Sequence, residues 1–350
     1  MKDPKQIALA FDIKGTIKEI KPLGNGLIND TFRVIMDGPE DYVLQRINNA
    51  IFQDVELLQH NIDCATAHIR KKGGMTLTFI PCKATGKTYW TDGETYWRVS
   101  VFIRDAFTFE TVNPEYSYYA GKAFGAFEAM LSDIPDKLGE TIPDFHNMEL
   151  RARQLHEAVE ADKAGRMAEP EVQAILKDLL PYEEEMCKAE RMYREGKLPK
   201  RICHCDTKVN NMMFDKDGNI LCVIDLDTLM PSFVFSDFGD FLRTAANTVA
   251  EDDPAVEKVD FKMDIFEAFA KGYLESATFL TPVEKENLPY AACLFPYMQA
   301  VRFFADYING DTYYKIKYPE HNLVRTRNQM ALFYSVLENM DYMKQFIASL

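Results

Sequence analysis

The period of the hydrophobic pattern changes near residue 50, and that change constrains the architecture more than any other feature. From residue 15 to 48 the pattern is strand-like, in the runs TIKEIKPL, LINDTFRVIM and YVLQRI, with turn signals at Gly24-Asn25-Gly26 and Asp37-Gly38-Pro39. Residues 50–72 then place Ile51, Val55, Leu58, Ile62, Ala65 and Ile69 at spacings of three and four, which predicts an amphipathic helix. The β-prone runs TLTFIP, TYWTDGETYW and WRVSVFI follow and close a β-rich unit near Ile103.

Beyond residue 112 the pattern is mainly helical. Pro114-Glu115 opens one helix, and the charged run from Tyr182 to Glu195 sits in another. Thr281-Pro282-Val283-Glu284 has the form of a capping box with proline at the first helical position. The helix it opens runs through Leu288, Phe295 and Arg302, with a kink or break expected at Pro289 and Pro296. Residues 202–229 are the exception: a loop, then two short strands, MMFD and ILCVIDL, joined at Asp217-Gly218-Asn219. The expected fold class is α+β, with a small β-rich lobe over 1–103 carrying one long helix and a larger, mainly helical lobe over 104–350.

Bulk properties exclude several partners. The net charge is −14, from 40 basic and 54 acidic residues, and no Lys/Arg run offsets it. Such a field repels a polyphosphate backbone and an anionic membrane surface, so neither nucleic acid nor membrane is an expected partner. The first fifteen residues hold no apolar core of signal-peptide length, and no stretch of about 18 apolar residues occurs. A cytosolic protein is the expectation. Its seven scattered cysteines read as reduced thiols rather than a disulfide framework. No feature speaks to oligomeric state.

The segment His204-Cys205-Asp206-Thr207-Lys208-Val209-Asn210-Asn211, with Asp225 fourteen residues further on, carries the chemistry. Phosphoryl transfer needs a carboxylate to take the proton of the attacking hydroxyl, oxygen ligands for Mg²⁺, and cations around the phosphates. Asp206 supplies the first, Asn211 and Asp225 the hard oxygen donors, and Lys208 a cation for the transferring group. Cys203 and Cys205 flank His204, but zinc sites want paired C-x₂-C elements, so buried small side chains are the better reading.

The pattern His204-x-Asp206-x-Lys208-x-x-Asn211, with Ile224-Asp225 following, resembles the catalytic loop of the protein-kinase-like superfamily. The wording HCDTKVNNMMFD…VIDLDTLMP…SDFGD is similar to the aminoglycoside phosphotransferase and choline kinase branch, and within it to the N-acetylhexosamine 1-kinases. GNGLINDTF, YVLQRIN, IPDFH and RFFADYINGDTYY extend that resemblance along nearly the whole chain. It implies a bilobal fold with ATP and Mg²⁺ as cofactors, a nucleotide-binding lobe over 1–103, and a catalytic and acceptor-binding lobe over 104–350. His204 then orients the loop. Gly24, Asn25 and Gly26 stand where the phosphate-covering loop lies, without the full G-x-G-x-x-G, and Asp30 follows over the cleft.

The superfamily places a phosphate-gripping lysine on the strand matching YVLQRI. This sequence offers Gln45 and Arg46 instead; Arg46 is the choice, with Glu56 as its partner. The hinge falls at Phe102-Ile103-Arg104-Asp105, where Ile103 and Asp105 would border adenine or guanine. Asp237 and Asp240 brace the catalytic segment or cap the next helix, and Asp227 is open as a ligand of a second metal.

For the acceptor, Arg302 and Asp306 share a helix face and Tyr313 follows, a grouping of planar polar groups and an aromatic ring that suits a sugar. The resemblance selects the anomeric hydroxyl of an N-acetylhexosamine. An aminoglycoside, choline or a homoserine-like alcohol, or a silent nucleotide-binding scaffold, are the alternatives.

Overall fold

A computed structural model describes residues 3–24, 29–108, 112–217 and 219–350. Asn25 and Gly26 of the expected phosphate-covering loop, and Gly218 of the expected hairpin turn, lie outside the described residues.

The first third follows the strand reading closely. Helix α1 (Pro4–Ala8) precedes strands β1 (Ile17–Pro22), β2 (Asp30–Met36) and β3 (Tyr42–Ile47), and helix α2 covers Val55–Lys71. Strands β4 (Trp90–Thr91) and β5 (Tyr96–Val101) complete an antiparallel sheet of order β1-β2-β3-β5-β4. TLTFIP forms no strand and pairs with the sheet through the isolated bridge Phe79↔Ser100, with Ile80 packed on its core. One face of the sheet is apolar: Val34, Tyr42, Leu44, Trp97 and Val99 pack with Ile7 and Phe11. Asp54 caps α2 by accepting the N–H of Leu57, and Leu58, Ile62, Ala65 and Ile69 form its buried stripe.

Helices then dominate, as α3 (Pro114–Leu131), α4 (Met148–Ala161), α5 (Pro170–Leu179), α6 (Glu183–Met186) and α7 (Lys188–Arg194). The 182–195 run is thus two short helices broken at Cys187 rather than one. Strand β6 (Arg201–Cys203) leads into the catalytic loop, and β7 (Met212–Phe214) and β8 (Ile220–Val223) form the expected hairpin. Strand β9 (Met230–Ser232) precedes α8 (Phe235–Ala245) and α9 (Met263–Ser276). The capping box is present, yet it opens only the five-residue α10 (Pro282–Glu286). The long helix α11 (Leu288–Ile308) starts afresh after Asn287, with Pro289 harmless in its first turn and Pro296 inside it. Glu284 of the box is fully buried because Arg201 meets it through two 2.9 Å contacts. Helices α12 (His321–Glu338) and α13 (Met340–Ser349) end the chain, and α11 packs against α4, α8 and α12.

Packing does not divide the chain at a single cut after residue 103. One compact unit comprises Met1–Thr108, Met130–Pro143 and Asn211–Met230; the other comprises Phe109–Ala129, Asp144–Asn210 and Pro231–Leu350. The β7–β8 hairpin belongs with the first because Phe214 bridges Phe107, and residues 130–143 join it because Asn61 donates to Gly139 O at 2.7 Å. In the second unit Gly239 lets α8 approach α11: a Cβ there would lie 2.4 Å from Ala291 O.

Candidate active site

In the second unit the catalytic segment is held by its backbone. Asp237, the third residue of α8, accepts the N–H of His204 on Oδ2 at 2.8 Å and that of Cys205 on Oδ1 at 2.7 Å. Cys205 has φ +62°, a conformation that a non-glycine residue keeps only when its surroundings enforce it. Thr207 Oγ1 donates to Asp237 O at 2.8 Å. Asp237 therefore braces the loop, as one of the two roles expected for it.

His204 is fully buried, edge-on to Phe124 and Phe127, and its Nδ1 accepts the N–H of Asp206 at 3.3 Å. It orients the loop. Asp206 is partly exposed, and Lys208 Nζ contacts its Oδ1 at 2.8 Å and Oδ2 at 3.0 Å.

Beneath this loop lies an acidic cluster. Ligand atoms of Glu128, Cys203 and Asp237 sit within 4.8 Å of one another, all buried, and Tyr273 donates to Glu128 Oε2. Burial, with the Asp237 charge adding to it, raises Glu128 well above the ordinary glutamate range. Asp237 is also raised by burial, against which the two backbone N–H groups it accepts favour its anion. Of the two, Glu128 is the one raised further. Burial likewise raises the Cys203 and Cys205 thiols. A neutral acid and thiols make this a hydrogen-bonded core, in agreement with the reading of these cysteines as buried small side chains.

In the first unit, the hairpin gathers the expected metal ligands. The N–H of Ile224 donates to Asn211 O at 2.8 Å, so Asn211 and Asp225 sit at the same open end of β7–β8. Asp225 does not end the strand, as expected, but lies two residues past it with φ +59°. Two adjacent hard oxygen donors fit a divalent ion such as Mg²⁺. Asp227 is otherwise engaged: its Oδ1 lies 2.5 Å from Arg98 Nη1 and its Oδ2 accepts from Asn29 Nδ2 at 2.6 Å. Both of its oxygens are therefore held by protein donors.

The sheet carries Arg46, the expected phosphate contact, and on the neighbouring strand Arg98. Cross-strand register pairs Gln45 with Arg98 and Arg46 with Trp97, so Gln45 and Arg46 face opposite sides of the sheet. Arg46 stands on the Trp97 side and approaches Asp30 at 3.5 Å. Glu56 does not pair with Arg46; it binds Lys87 at 2.5 Å and Tyr89 at 2.5 Å, since both extend toward the first turn of α2. Arg98, buried, donates from Nε to Gln45 Oε1 at 3.0 Å, and Gln45 Nε2 donates to Thr31 at 3.2 Å. Arg98 escaped the sequence reading; its signal was a single charge inside the apolar run YWRVSV. Gly24 has φ +69°, Ile103 is half-buried, and Asp105 is exposed with φ +54° in the turn after β5.

Three of the residues expected at the acceptor meet in the second unit, while Asp30 lies in the first. A pocket of about 380 Å³ is lined by Arg302, Asp306 and Tyr313, with Arg151, Glu157 and Tyr314 among the others. Arg151 on α4 was not foreseen. Asp306 shapes the rim: it accepts the N–H groups of Thr312, Tyr313 and Tyr314 at 2.8–3.0 Å and Asn322 Nδ2 at 2.9 Å. It forms no ion pair with Arg302 four residues before it; Arg302 Nη1 donates to Gln299 Oε1 at 3.2 Å. Neighbours link the pocket to the catalytic loop. Arg302 lies over Phe145, Phe145 stacks on His146, and His146 bonds Ser236 on α8, beside Asp237. Burial lowers His146 to about 3, so it is neutral.

Solved structures share this fold. An aminoglycoside phosphotransferase from Alicyclobacillus acidocaldarius superposes with a TM-score of 0.68 at 13% identity, covering 100% of this chain and 98% of its own. A microcompartment-associated aminopropanol kinase gives 0.60 at 14%, covering 97% of each chain. The amicoumacin kinase hAmiN, in complex with AMP-PNP, Ca²⁺ and Ami, gives 0.59 at 13%, covering 96% of this chain and 92% of its own. These likenesses bear out the α+β, protein-kinase-like fold. A family model matches residues 19–273, well over half of the sequence and including every segment that carries the catalytic pattern, and the chain therefore belongs to the phosphotransferase enzyme family, APH.

Proposed function

We propose that this protein transfers the γ-phosphoryl group of ATP to a sugar hydroxyl, in the form of the anomeric hydroxyl of an N-acetylhexosamine, giving the sugar 1-phosphate. The observation that carries the reading is the Asp206 carboxylate, partly exposed and gripped by Lys208 on a loop whose backbone Asp237 immobilises. Asp206 orients the acceptor hydroxyl and takes its proton, and Lys208 stays beside the group in transit. Asn211 and Asp225 would hold Mg²⁺, whose charge neutralises the phosphates when bound. ATP use is supported by the AMP-PNP complex of the amicoumacin kinase.

For the acceptor, the Arg302 and Tyr313 wall supports a polar, uncharged ring over a cationic alcohol. Arg151, Arg302 and Lys163 all line that pocket, so choline, an aminopropanol or an aminoglycoside would meet like charge. Asp306 enters the reading as the residue that positions Tyr313. In the first lobe, Gly24, Asn25, Gly26, Ile103 and Asp105 would border the nucleotide, with Arg46 on its phosphates and Asp30 toward the acceptor.

ATP consumption measured with Mg²⁺ against free sugars, amino alcohols and aminoglycosides tests the proposal. Turnover with N-acetylglucosamine or N-acetylgalactosamine, reduced by about 10³-fold or more in Asp206→Asn, is the expected result. Near-normal turnover in Asp206→Asn removes the base assignment. Activity confined to amino alcohols removes the sugar.

A further inference from the structure

We propose that the acceptor pocket takes a sugar bearing an anionic substituent, a carboxylate or a phosphate, held between Arg151 and Arg302. The inference rests on the sugar-kinase reading and specifies its substrate class.

Both guanidiniums line the pocket, and among the described residues their hydrogen-bond partners are neutral. Arg151 donates from Nη1 to Gln154 Oε1 at 2.9 Å, and from Nη2 to the carbonyls of Asp144 at 3.2 Å and Phe145 at 2.7 Å. Its Nε is buried without a hydrogen-bond partner. Arg302 has the Gln299 amide and the rings of Phe145 and Tyr314, at 5.8 and 5.6 Å, which fix its plane. Among the described residues neither arginine has a carboxylate within 4.0 Å.

The acids of the pocket are already in use. Asp306 serves three backbone N–H groups and Asn322, and Glu157 is solvent-exposed at the rim, 4.0 Å from Arg153. Lys163 adds a third cation. In a chain of net charge −14, a pocket with this balance runs against the prevailing sign. Burial and the Arg302 charge together lower Arg151 to about 10, against which the more distant Asp144 charge works, so it remains a cation at neutral pH.

The transferring phosphoryl group is not that anion. No residue of the 204–208 segment lines this pocket, whereas Asp206 and Lys208 lie on that segment. The pocket therefore holds a part of the acceptor remote from its reacting hydroxyl. Carboxylate and phosphate both accept two parallel N–H bonds from a guanidinium, which makes either group a fit and a neutral hydroxyl a weaker one.

The test compares N-acetylglucosamine with its 3-O-lactyl ether and its 6-phosphate, by steady-state kinetics and by calorimetric binding without ATP. It uses the full chain and the variants Arg302→Gln, Arg302→Lys and Lys163→Gln. The expected result is a KM or Kd for one acidic sugar at least about tenfold below that of the neutral sugar. Arg302→Gln should erase that preference, Arg302→Lys restore part of it, and Lys163→Gln weaken it. The lactyl and phosphate arms identify which anion is read. Equal KM and Kd values for acidic and neutral sugars overturn the inference and leave the sugar-kinase reading standing. Tight binding of an acidic sugar with no turnover of any sugar does the reverse. Absence of binding by all three overturns the inference.

Discussion

Two aspartates hold two loops in this protein by the same device, and their surroundings differ. Asp237 takes two successive backbone N–H groups of the catalytic loop, and Asp306 takes three of the loop that presents Tyr313. Asp237 is fully buried beside Glu128, Cys203 and Tyr273, where burial raises both carboxyls. Asp306 is also buried, but its partners at 312 and 313 are exposed and its additional donor is the amide of Asn322. The catalytic loop is thus fixed from a dry side, where a lost hydrogen bond finds no water. The acceptor loop is fixed from a side that water can reach. The first arrangement suits a base whose position must not vary, the second a rim that adapts to its ligand.

Breaking the first clamp should have the largest effect. Asp237→Ala orphans two buried N–H groups and releases the left-handed Cys205, at about 1–3 kcal/mol for each orphan. A urea midpoint read by circular dichroism should fall accordingly, and a loss under about 1 kcal/mol would mean the loop has other support.

Asp306→Ala should cost less, about 1 kcal/mol, because water replaces the carboxylate at residues 312 and 313. Its mark should be kinetic: KM for the acceptor rising about tenfold, more than kcat falls. Equal damage to KM and kcat would make the two clamps alike and break the comparison.

The smallest effect sharpens the role of the proton. Glu128 keeps its proton in the folded state to a higher pH than in the unfolded chain, so the folded state binds more protons above the unfolded value. Its stabilising contribution is complete below the ordinary glutamate value of 4.5 and is lost as pH rises from there through the raised folded value. Glu190, raised by burial to about 7 and accepting the N–H of Met148 at the start of α4, follows the same sign between 4.5 and about 7. Glu128→Gln and Glu190→Gln remove the charge and keep the shape. Melting temperatures of both variants should decline less with pH across those windows than the unaltered protein does. An unchanged slope would place the protons elsewhere.

Local signals were legible where a residue's job is local. The strands around Val34 and Leu44, the α2 stripe, the Thr281–Glu284 box and the loop from His204 to Asn211 all depend on neighbours within a few positions. The length of α10 did not, since Asn287 restarts the chain as α11 and Pro289 fits a first turn as readily as it breaks an interior. Arg98 and Glu128 went unread because each is a single charge in an otherwise apolar run, and Arg151 because it is one of several charges, beside Glu149 and Arg153, on a helix of ordinary pattern.

Order of elements, the family's catalytic pattern and the chemistry available to Asp206, Asn211 and Asp225 were determined by the sequence itself, because backbone period and residue spacing encode them. Tertiary structure decided which charges are spent. Asp227 is spent on Arg98 and Asn29, Glu56 on Lys87, and Asp306 on its own loop, while Arg151 and Arg302 meet no carboxylate among the described residues. A carboxylate's role depends on the donors brought within about 3 Å of it, and those donors come from positions 31 to 198 residues away or from one turn of a loop alike. Spacing along the chain carries no record of that choice.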